Sequence, residues 1–502
     1  MAKEILVNFD PKEKRVAIVQ DGKLEEFFIE RPQEKTIVGN IYKGSIEAVI
    51  PSIAGAFVDI GLPKKGFLYL SEIESYFDTF DLNEFGTPKV EKGGDGGKHG
   101  GHKGSKKDFL NNIKKGQEIL VQVVKEPFGT KGPRLTCHIG IPGRDLVLMP
   151  QEHQIGVSRR IDGDDERRRL RQVLSEFRMP KDVGFIVRTA ARGKSKQELW
   201  RDANFLIKLW RRIEKISKRR KAPVLVYEEY DVSLRIVRDS FTEDVEKLLV
   251  DSKAEFYRIQ RFLRTFMRDL ARKIEFYPGE DLFEDKGIEK QINRVFETKV
   301  YLKSKSYIII EPTEGLVVID VNSGGFKKNL EQEEAAFKIN CEAAIEAAHQ
   351  LKLRDLGGII VIDFIDMMQE SHRREVFNVL KHALSLDKAK YDILSISKFG
   401  LVEMTRERIH NTVQSISNTA CPYCQGKGRV RSPVTVSITA VKELKKYLKD
   451  KTLAEVNLNV NPLVAEEVLK DKETLKFVER RFRTKINVIP NATLHIETFS
   501  FS

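Results

Sequence analysis

Residues 315–325 read GLVVIDVNSGG and residues 357–367 read GGIIVIDFIDM. In each stretch a run of four apolar residues, 316–319 or 359–362, enters an aspartate, Asp320 or Asp363. The segment joining them, NLEQEEAAFKINCEAAIEAAHQLKLRDLGG, has the apolar period of a helix and closes on two glycines. Strand, long helix, strand is the order of a parallel crossover, and parallel strands finish at the same edge of a sheet. Asp320 and Asp363 are therefore expected to emerge together on strands ~4.8 Å apart, at the edge where open α/β sheets bind ligands.

Read as buried strands, these runs make two terminal carboxylates costly unless they are paired, hydrogen-bonded or bound to a cation. A site of few, hard oxygen ligands suits Mg²⁺, which keeps several waters and bridges to phosphate. The plainer alternative is that each aspartate caps the turn or helix that follows its strand.

The rest of the chain sets the context. Its 502 residues exceed what one core usually organises, so several domains are expected. With 41% hydrophobic and 32% charged residues it has the composition of a globular protein rather than a disordered one. Lys and Arg outnumber Asp and Glu by 87 to 74, and the net charge of +13 suits a polyanionic partner such as nucleic acid. Four cysteines exclude a disulfide scaffold and point to a reducing compartment. The first residues alternate like a strand and lack the regions of a secretion signal, and no apolar run is long enough for a bilayer span, so a cytoplasmic location is expected.

Residues 1–30 read as three strands of a meander. The stretch TIVGNIYKGSIEAVIPSIAGAFVDIGLPKKGFLYLSEI continues as short strands punctuated by glycine and proline, with return strands in QEILVQVVKEPFGTKGPRLT, which is the pattern of a small barrel. Between them, EKGGDGGKHGGHKGSKK at 91–107 has seven glycines and five lysines and is expected to be a solvated loop, whose His99 and His102 are no more than weak metal candidates. Two helices follow, DDERRRLRQVLSEF and one that starts at Ser195 and ends in a basic run, with the strand FIVRTA between them. After the strand APVLVYEEY comes a mixed helical region to about residue 275, and 298–320 read as two strands, KVYLKSKSYIIIEP and GLVVID.

Three further motifs carry chemistry. Phe57 and Phe67 each follow a small residue on a barrel strand. Pattern alone favours a core position, but exposed aromatics on an OB-type barrel stack on unpaired bases, and Lys125 and Lys131 are then placed to meet the backbone phosphates. In FIVRTAARGKS, Arg188 and Thr189 at a strand end, with Gly193, Lys194 and Ser195 entering a helix, suit a terminal phosphate but lack the spacing of a nucleotide-hydrolysing loop. CPYCQGKG supplies Cys421 and Cys424, half of a tetrahedral zinc site. Completion would need Cys137 and Cys341, His410, or the same pair from a second chain, and the last is favoured over a redox dithiol because no thioredoxin-type βαβ pattern surrounds the pair.

These pieces occur in one order. GAFVDIG, GFLYL, LVLMP, GVSRRI, FIVRTA with GKS, IDVNSG, LRDLGGIIVIDFIDM, SKFGLVEMTRERI and CPYCQGKG together resemble the ribonuclease E/G family along almost the whole chain. The resemblance implies an α/β multidomain protein. An S1 (OB-type) β-barrel at 38–137 and a 5'-sensor region at 138–228 would interrupt an RNase H-like subdomain at 1–37 and 229–294. A DNase I-like catalytic subdomain at 295–417, a zinc link at 418–432 and a small C-terminal oligomerisation domain at 433–502 would follow.

The activity it implies is endonucleolytic cleavage of single-stranded, AU-rich RNA to 5'-phosphate and 3'-hydroxyl ends, in rRNA processing and mRNA decay. Asp320 and Asp363 would bind Mg²⁺ and Asn322 would orient the scissile phosphate. Phe57, Phe67, Lys125 and Lys131 would hold RNA. Arg188 and Thr189, with Gly143, Val147 and Lys390, would sense a 5'-monophosphate. Cys421 and Cys424 would share Zn²⁺ across a homodimer, with dimers pairing into a tetramer.

Three features depart from the family pattern: the glycine-rich loop, KSKSYIII without its usual glycine pair, and Lys390 where an arginine is common, which loses the bidentate fork. Because the chain ends at Ser502, a G-type rather than an E-type member is expected. The rival readings are a non-catalytic S1-domain RNA-binding protein, which has no need of the Asp320–Asn322–Asp363 set, and a DNA phosphodiesterase, which has no need of the barrel.

Overall fold

The computed structural model describes residues 2–73, 114–127 and 131–502, except 151, 153, 154, 159, 162, 181, 314, 326–330, 409–418, 420, 450 and 452. The glycine-rich loop with His99 and His102, and the zinc candidate His410, lie outside the described residues. The chain divides into two units, Met1–Val413 and Gln414–Ser502.

In the first unit the opening strands Lys3–Asp10, Glu13–Gln20 and Lys23–Glu30 form the expected meander, turning at Asp21 and Gly22, both at positive φ. Two strands from far along the chain extend it. Val245–Val250 pairs parallel with Lys3–Asp10, and Ile274–Phe276 pairs parallel with Val245–Val250. The strand Val245–Val250 lies within the region read from sequence as mixed helical; it exists because it pairs with residues some 240 positions earlier. Helices Val232–Ser240 and Lys253–Phe266 cover this sheet.

The barrel is closed. Ile41–Ile50 pairs with both Gly55–Asp59 and Glu118–Lys125, and Gly66–Tyr69 and Arg134–Thr136 complete the circuit. Its core is aliphatic, with Ile46, Val58, Leu68, Val121 and Leu135 buried. Beside it Leu146–Pro150 and Val183–Val187 pair antiparallel under the long helix Lys196–Arg219. That helix begins at a full capping box between Ser195 and Glu198.

The sheet that carries both aspartates has six strands. Leu316–Asn322 pairs parallel with Gly358–Asp363, and the helix Gln332–Leu353 makes the crossover. Alanines 336, 343, 344, 347 and 348 are buried on that helix, which lets it lie close to the strands. Two expectations are corrected. The segment 298–312 is a hairpin, Lys299–Tyr301 and Tyr307–Pro312, turning at Lys305 with φ of 70°, rather than one strand. The aspartate strands are also not buried on both faces. Val317, Ile319, Val321, Ile360 and Ile362 point into the helix-covered core, while Asp320 is half-buried and Asp363 exposed on the other face. The Asp320 strand, moreover, runs on to Asn322.

The second unit is a three-stranded sheet. Glu455–Val460 pairs parallel with Lys485–Pro490 and antiparallel with Phe499–Phe501, packed with helices Pro433–Lys449, Pro462–Lys470 and Lys472–Phe482.

Candidate active site

Asp320 and Asp363 are direct partners in the parallel pair. Residues at the same level of neighbouring strands project from the same face, so the two carboxylates stand side by side over the uncovered face. Asn322, two residues along and therefore on that face too, donates its side-chain N–H to Asp320 Oδ2 at 2.7 Å. Partial burial, then the charges of Asp320 and Asp366, push the Asp363 carboxyl above its usual range. Two like charges held this close, with one amide donor for relief, suit a cation. Among the described residues no three His, Cys, Asp or Glu side chains converge as a cage. The donor set is therefore two carboxylates with room for water, which fits Mg²⁺ rather than Zn²⁺.

The segment after Asp363 is held from the crossover helix by residues that no sequence motif marks out. Buried Asn340 donates to Ile365 O at 2.8 Å and accepts from Ile365 N–H at 3.0 Å. Glu333 accepts from the N–H groups of Met368 and Gln369 and from His372 Nδ1. Asp363 and Asp366 are thereby fixed to the helix that also spaces the two strands.

On the barrel, Phe57 and Phe67 are directly opposed, with ring centroids 5.9 Å apart. Neither belongs to the core that pattern alone favoured; both are half-buried on the outer surface. Gly55 makes this possible, because a Cβ there would lie 2.2 Å from Phe67 Cε2. Tyr69, two residues after Phe67, extends the aromatic row at 5.1 Å, and Arg134 lies 4.8 Å over its ring. Arg134 pairs with both Phe67 and Lys125. Lys125 and Lys131 are exposed. Tyr69 was legible in the sequence as the same-face neighbour of Phe67; Arg134 needed the strand pairing.

The Arg188 region is built around two acids. Asp202, buried on the long helix, accepts from the backbone N–H groups of Arg144, Asp145 and Leu146 and so shapes the tight turn at Gly143. Only glycine fits there, since a Cβ would lie 2.6 Å from Asp202 Oδ2. Arg188 spreads its fork between Gly143 O at 2.6 Å and Asp239 Oδ1 at 2.7 Å. Burial alone would raise Asp239, but Arg238 and Arg188 overcome it and bring its carboxyl down to about 2. Thr189 follows directly, opening a short turn, and Val147 pairs with Ile186 on the neighbouring strand. Lys390 is exposed and its carbonyl accepts from Glu407 N–H, while Lys388, two residues earlier, bonds Ser240 Oγ at 2.9 Å next to Asp239. Arg160 donates to Lys388 O at 2.8 Å.

In the second unit the Cys421 thiol is pulled below its usual range by the backbone N–H of Cys424 and then that of Tyr423, and Gly428 N–H donates to Cys424 Sγ at 3.3 Å. Donors aimed at sulfur favour thiolate, the form that binds metal. The knuckle is fastened by Tyr423, which packs on His495 at 4.2 Å. Both ring nitrogens of His495 are occupied, by Tyr423 O and by Glu497 N–H, so it is not a zinc ligand. Cys137 is buried in the barrel core and Cys341 packs against the core of the six-stranded sheet, its thiol raised by burial and then Glu375 to about 11.

Sequence comparison places the chain among known proteins. The model of the Ribonuclease E/G family matches residues 140–409, and that of the RNase E/G thioredoxin-like domain matches residues 420–502, which corrects the expectation that no thioredoxin-type βαβ pattern accompanies the cysteine pair, since Glu455–Val460 and Lys485–Pro490 pair parallel across helices. Ribonuclease G of Haemophilus influenzae is 38% identical over 491 residues, covering 96% of both chains. Ribonuclease G of Escherichia coli K12 is 38% identical over 484 residues, 95% of this chain and 94% of that protein. Ribonuclease E of E. coli K12 is 37% identical over 97% of this chain but only 45% of its own length. With two adjacent strand carboxylates, an aromatic barrel surface and near-complete coverage by such relatives, the chain belongs to the ribonuclease E/G family of endoribonucleases.

Proposed function

We propose that this chain is a Mg²⁺-dependent endoribonuclease that cuts single-stranded, AU-rich RNA to 5'-phosphate and 3'-hydroxyl ends, prefers 5'-monophosphorylated substrates, and acts in rRNA processing and mRNA decay. The observation that carries the reading is the in-register pair Asp320 and Asp363, with Asn322 beside them on an uncovered sheet face. The Phe57–Phe67–Tyr69 row supports a single-stranded substrate, since unpaired bases offer faces for stacking. The base preference, the end chemistry and the transcripts rest on the family resemblance alone.

Asp320 and Asp363 would hold the cation, which supplies charge stabilisation to the phosphate oxygens and lowers the pKa of water. Asn322, anchored on Asp320, orients the phosphate. Attack forms the bond from water oxygen to phosphorus and breaks the bond from phosphorus to O3', and the proton that water gives up is balanced by one taken at O3'. The phosphate stays on the 5' end of the downstream fragment. Lys125, Lys131 and Arg134 hold the backbone electrostatically. Arg188, already oriented by Asp239, presents its fork to a terminal phosphate with Thr189, Gly143 and Val147, and Lys390 or its neighbour Lys388 adds charge.

The subdomain names belong to the same proposal. The sheet order Ile274–Phe276, Val245–Val250, Lys3–Asp10, Glu13–Gln20, Lys23–Glu30, with the last three strands antiparallel and the first two added in parallel, supports the RNase H-like reading. Its acids are engaged structurally, Asp231 with Lys14 and Arg258 and Asp251 with Asn8, which supports a scaffold role. The closed barrel is read as S1, and the six-stranded sheet as DNase I-like. Cys421 and Cys424, half a ligand set, would be completed by the same pair of a second subunit around Zn²⁺, giving a homodimer and, through the small domain, a tetramer. No described helix is long and apolar enough to cross a membrane. The cytoplasmic location remains part of the proposal.

The test is cleavage of a short AU-rich RNA with a 5'-monophosphate, in Mg²⁺ or EDTA, by wild type and Asp320→Asn. Mg²⁺-dependent internal cuts that vanish in the variant, with binding kept, are expected. RNA binding without cleavage by the wild type would instead identify a binding protein.

A further inference from the structure

The hairpin at the edge of the catalytic sheet brings three residues to its uncovered face that have no role above. Directly opposed residues share a face, so the pairing defines rows across the sheet. One row runs Lys299, Ile309, Asp320, Asp363; the next runs Tyr301, Tyr307, Asn322. The intervening residues Ile308 and Ile310 are buried on the helix side, which fixes the orientation of the hairpin. Tyr307 thus stands one strand spacing from Asn322, ~4.8 Å, and Tyr301 two, ~10 Å.

The three side chains form one cluster. The tyrosine rings meet edge to face at 6.1 Å, and Lys299 Nζ lies 3.6 Å from the Tyr307 centroid and 4.9 Å from that of Tyr301. Tyr307 is half-buried and braced from behind: at Gly324, in the loop after Asn322, a Cβ would lie 3.2 Å from the Tyr307 ring. Tyr301 is 69% exposed. A lysine on an edge strand is an ordinary guard against edge-to-edge pairing. That role does not require two aromatic rings, nor that they stand in the row of the residue that orients the phosphate.

We infer that Tyr301 is a stacking platform for a base flanking the scissile phosphate, and that Lys299 meets the backbone phosphate of the same strand. The inference rests on the reading of Asp320, Asn322 and Asp363 as the cleavage site. It adds a base-binding position on the catalytic sheet itself. Stacking is tolerant of base identity, so the position fixes where the strand lies rather than which base is cut.

The experiment measures kcat and KM on a short 5'-monophosphorylated RNA for wild type, Tyr301→Ala and Tyr301→Trp. The same RNA is also made with an abasic nucleotide on either side of the cut. We expect Tyr301→Ala to raise KM roughly tenfold with little change in kcat, Tyr301→Trp to restore it, and the wild-type advantage to vanish when the stacked nucleotide is abasic. An unchanged KM, or a penalty that persists with abasic nucleotides on both sides, overturns the inference while leaving the cleavage site intact. A wild type that makes no Mg²⁺-dependent cut overturns the reading beneath it. Because Tyr301 is exposed at an edge, the alanine variant should keep the wild-type melting temperature, and a lowered one would mark a structural role instead.

Discussion

Neutralising one member of the carboxylate pair should stabilise the metal-free protein while destroying its activity. Asp320 and Asp363 sit in register on neighbouring strands. Two unit charges ~5 Å apart repel by about 1 kcal/mol in a water-like dielectric and about 3 kcal/mol at an effective dielectric of 20. Since Asp363 is exposed and Asp320 only half-buried, the lower figure applies, and Asp320→Asn should gain about 1 kcal/mol without metal. That corresponds to roughly 1 °C in the melting of a unit this large.

Magnesium should reverse the order. At tenfold over its dissociation constant it adds about 1.4 kcal/mol to the wild type and little to the variant. The pH dependence has a definite sign. Asp363 is raised in the folded state by burial, Asp320 and Asp366. Its stabilising contribution is therefore present below the ordinary carboxylate range and is lost as pH rises through the raised value. Asp320→Asn should flatten that loss. Calorimetry in EDTA and in Mg²⁺, from pH 4 to 8, reads all three effects. A variant less stable than wild type in EDTA, or stabilised equally by Mg²⁺, would refute the charge-pair argument.

Arg188→Ala should lower the preference for 5'-monophosphorylated over 5'-hydroxyl RNA, since it removes the fork held by Gly143 and Asp239; an unchanged ratio of kcat/KM for the two substrates counts against a sensor there. Phe67→Ala should weaken binding of single-stranded RNA by about 1–3 kcal/mol and leave duplex RNA unaffected, as read by fluorescence anisotropy. Cys421→Ser should lower zinc content and assembly state together, and sedimentation that stays unchanged after zinc is lost removes the intersubunit link. Gly143→Ala should cost about 1–3 kcal/mol and impair 5'-end preference, because its Cβ would press on Asp202; wild-type stability would show that the turn can relax.

Much of this was written locally in the chain. Two apolar runs entering aspartates, with one helix length between them, determine a parallel pair and hence the meeting of Asp320 and Asp363, because strand and helix periods are short-range properties. Ser195 and Glu198, three apart, likewise mark a helix start without help from the fold. What the sequence left open depends on residues far apart. The strand Val245–Val250 needed Lys3–Asp10 as a partner. The hairpin turn at Lys305 has no glycine or proline to announce it, and the sheet supplies the pairing that holds it.

The uncovered face of the six-stranded sheet was also invisible, because an apolar run reads alike whether one side or both are buried. So were Asp239 gripping Arg188, Arg134 beside Phe67, and the bond from Lys388 to Ser240 next to Asp239. Sequence by itself determined the candidate residues and their local elements. The tertiary structure decided which of them face one another, since side-chain direction is set by pairing register and packing between segments that no local period relates.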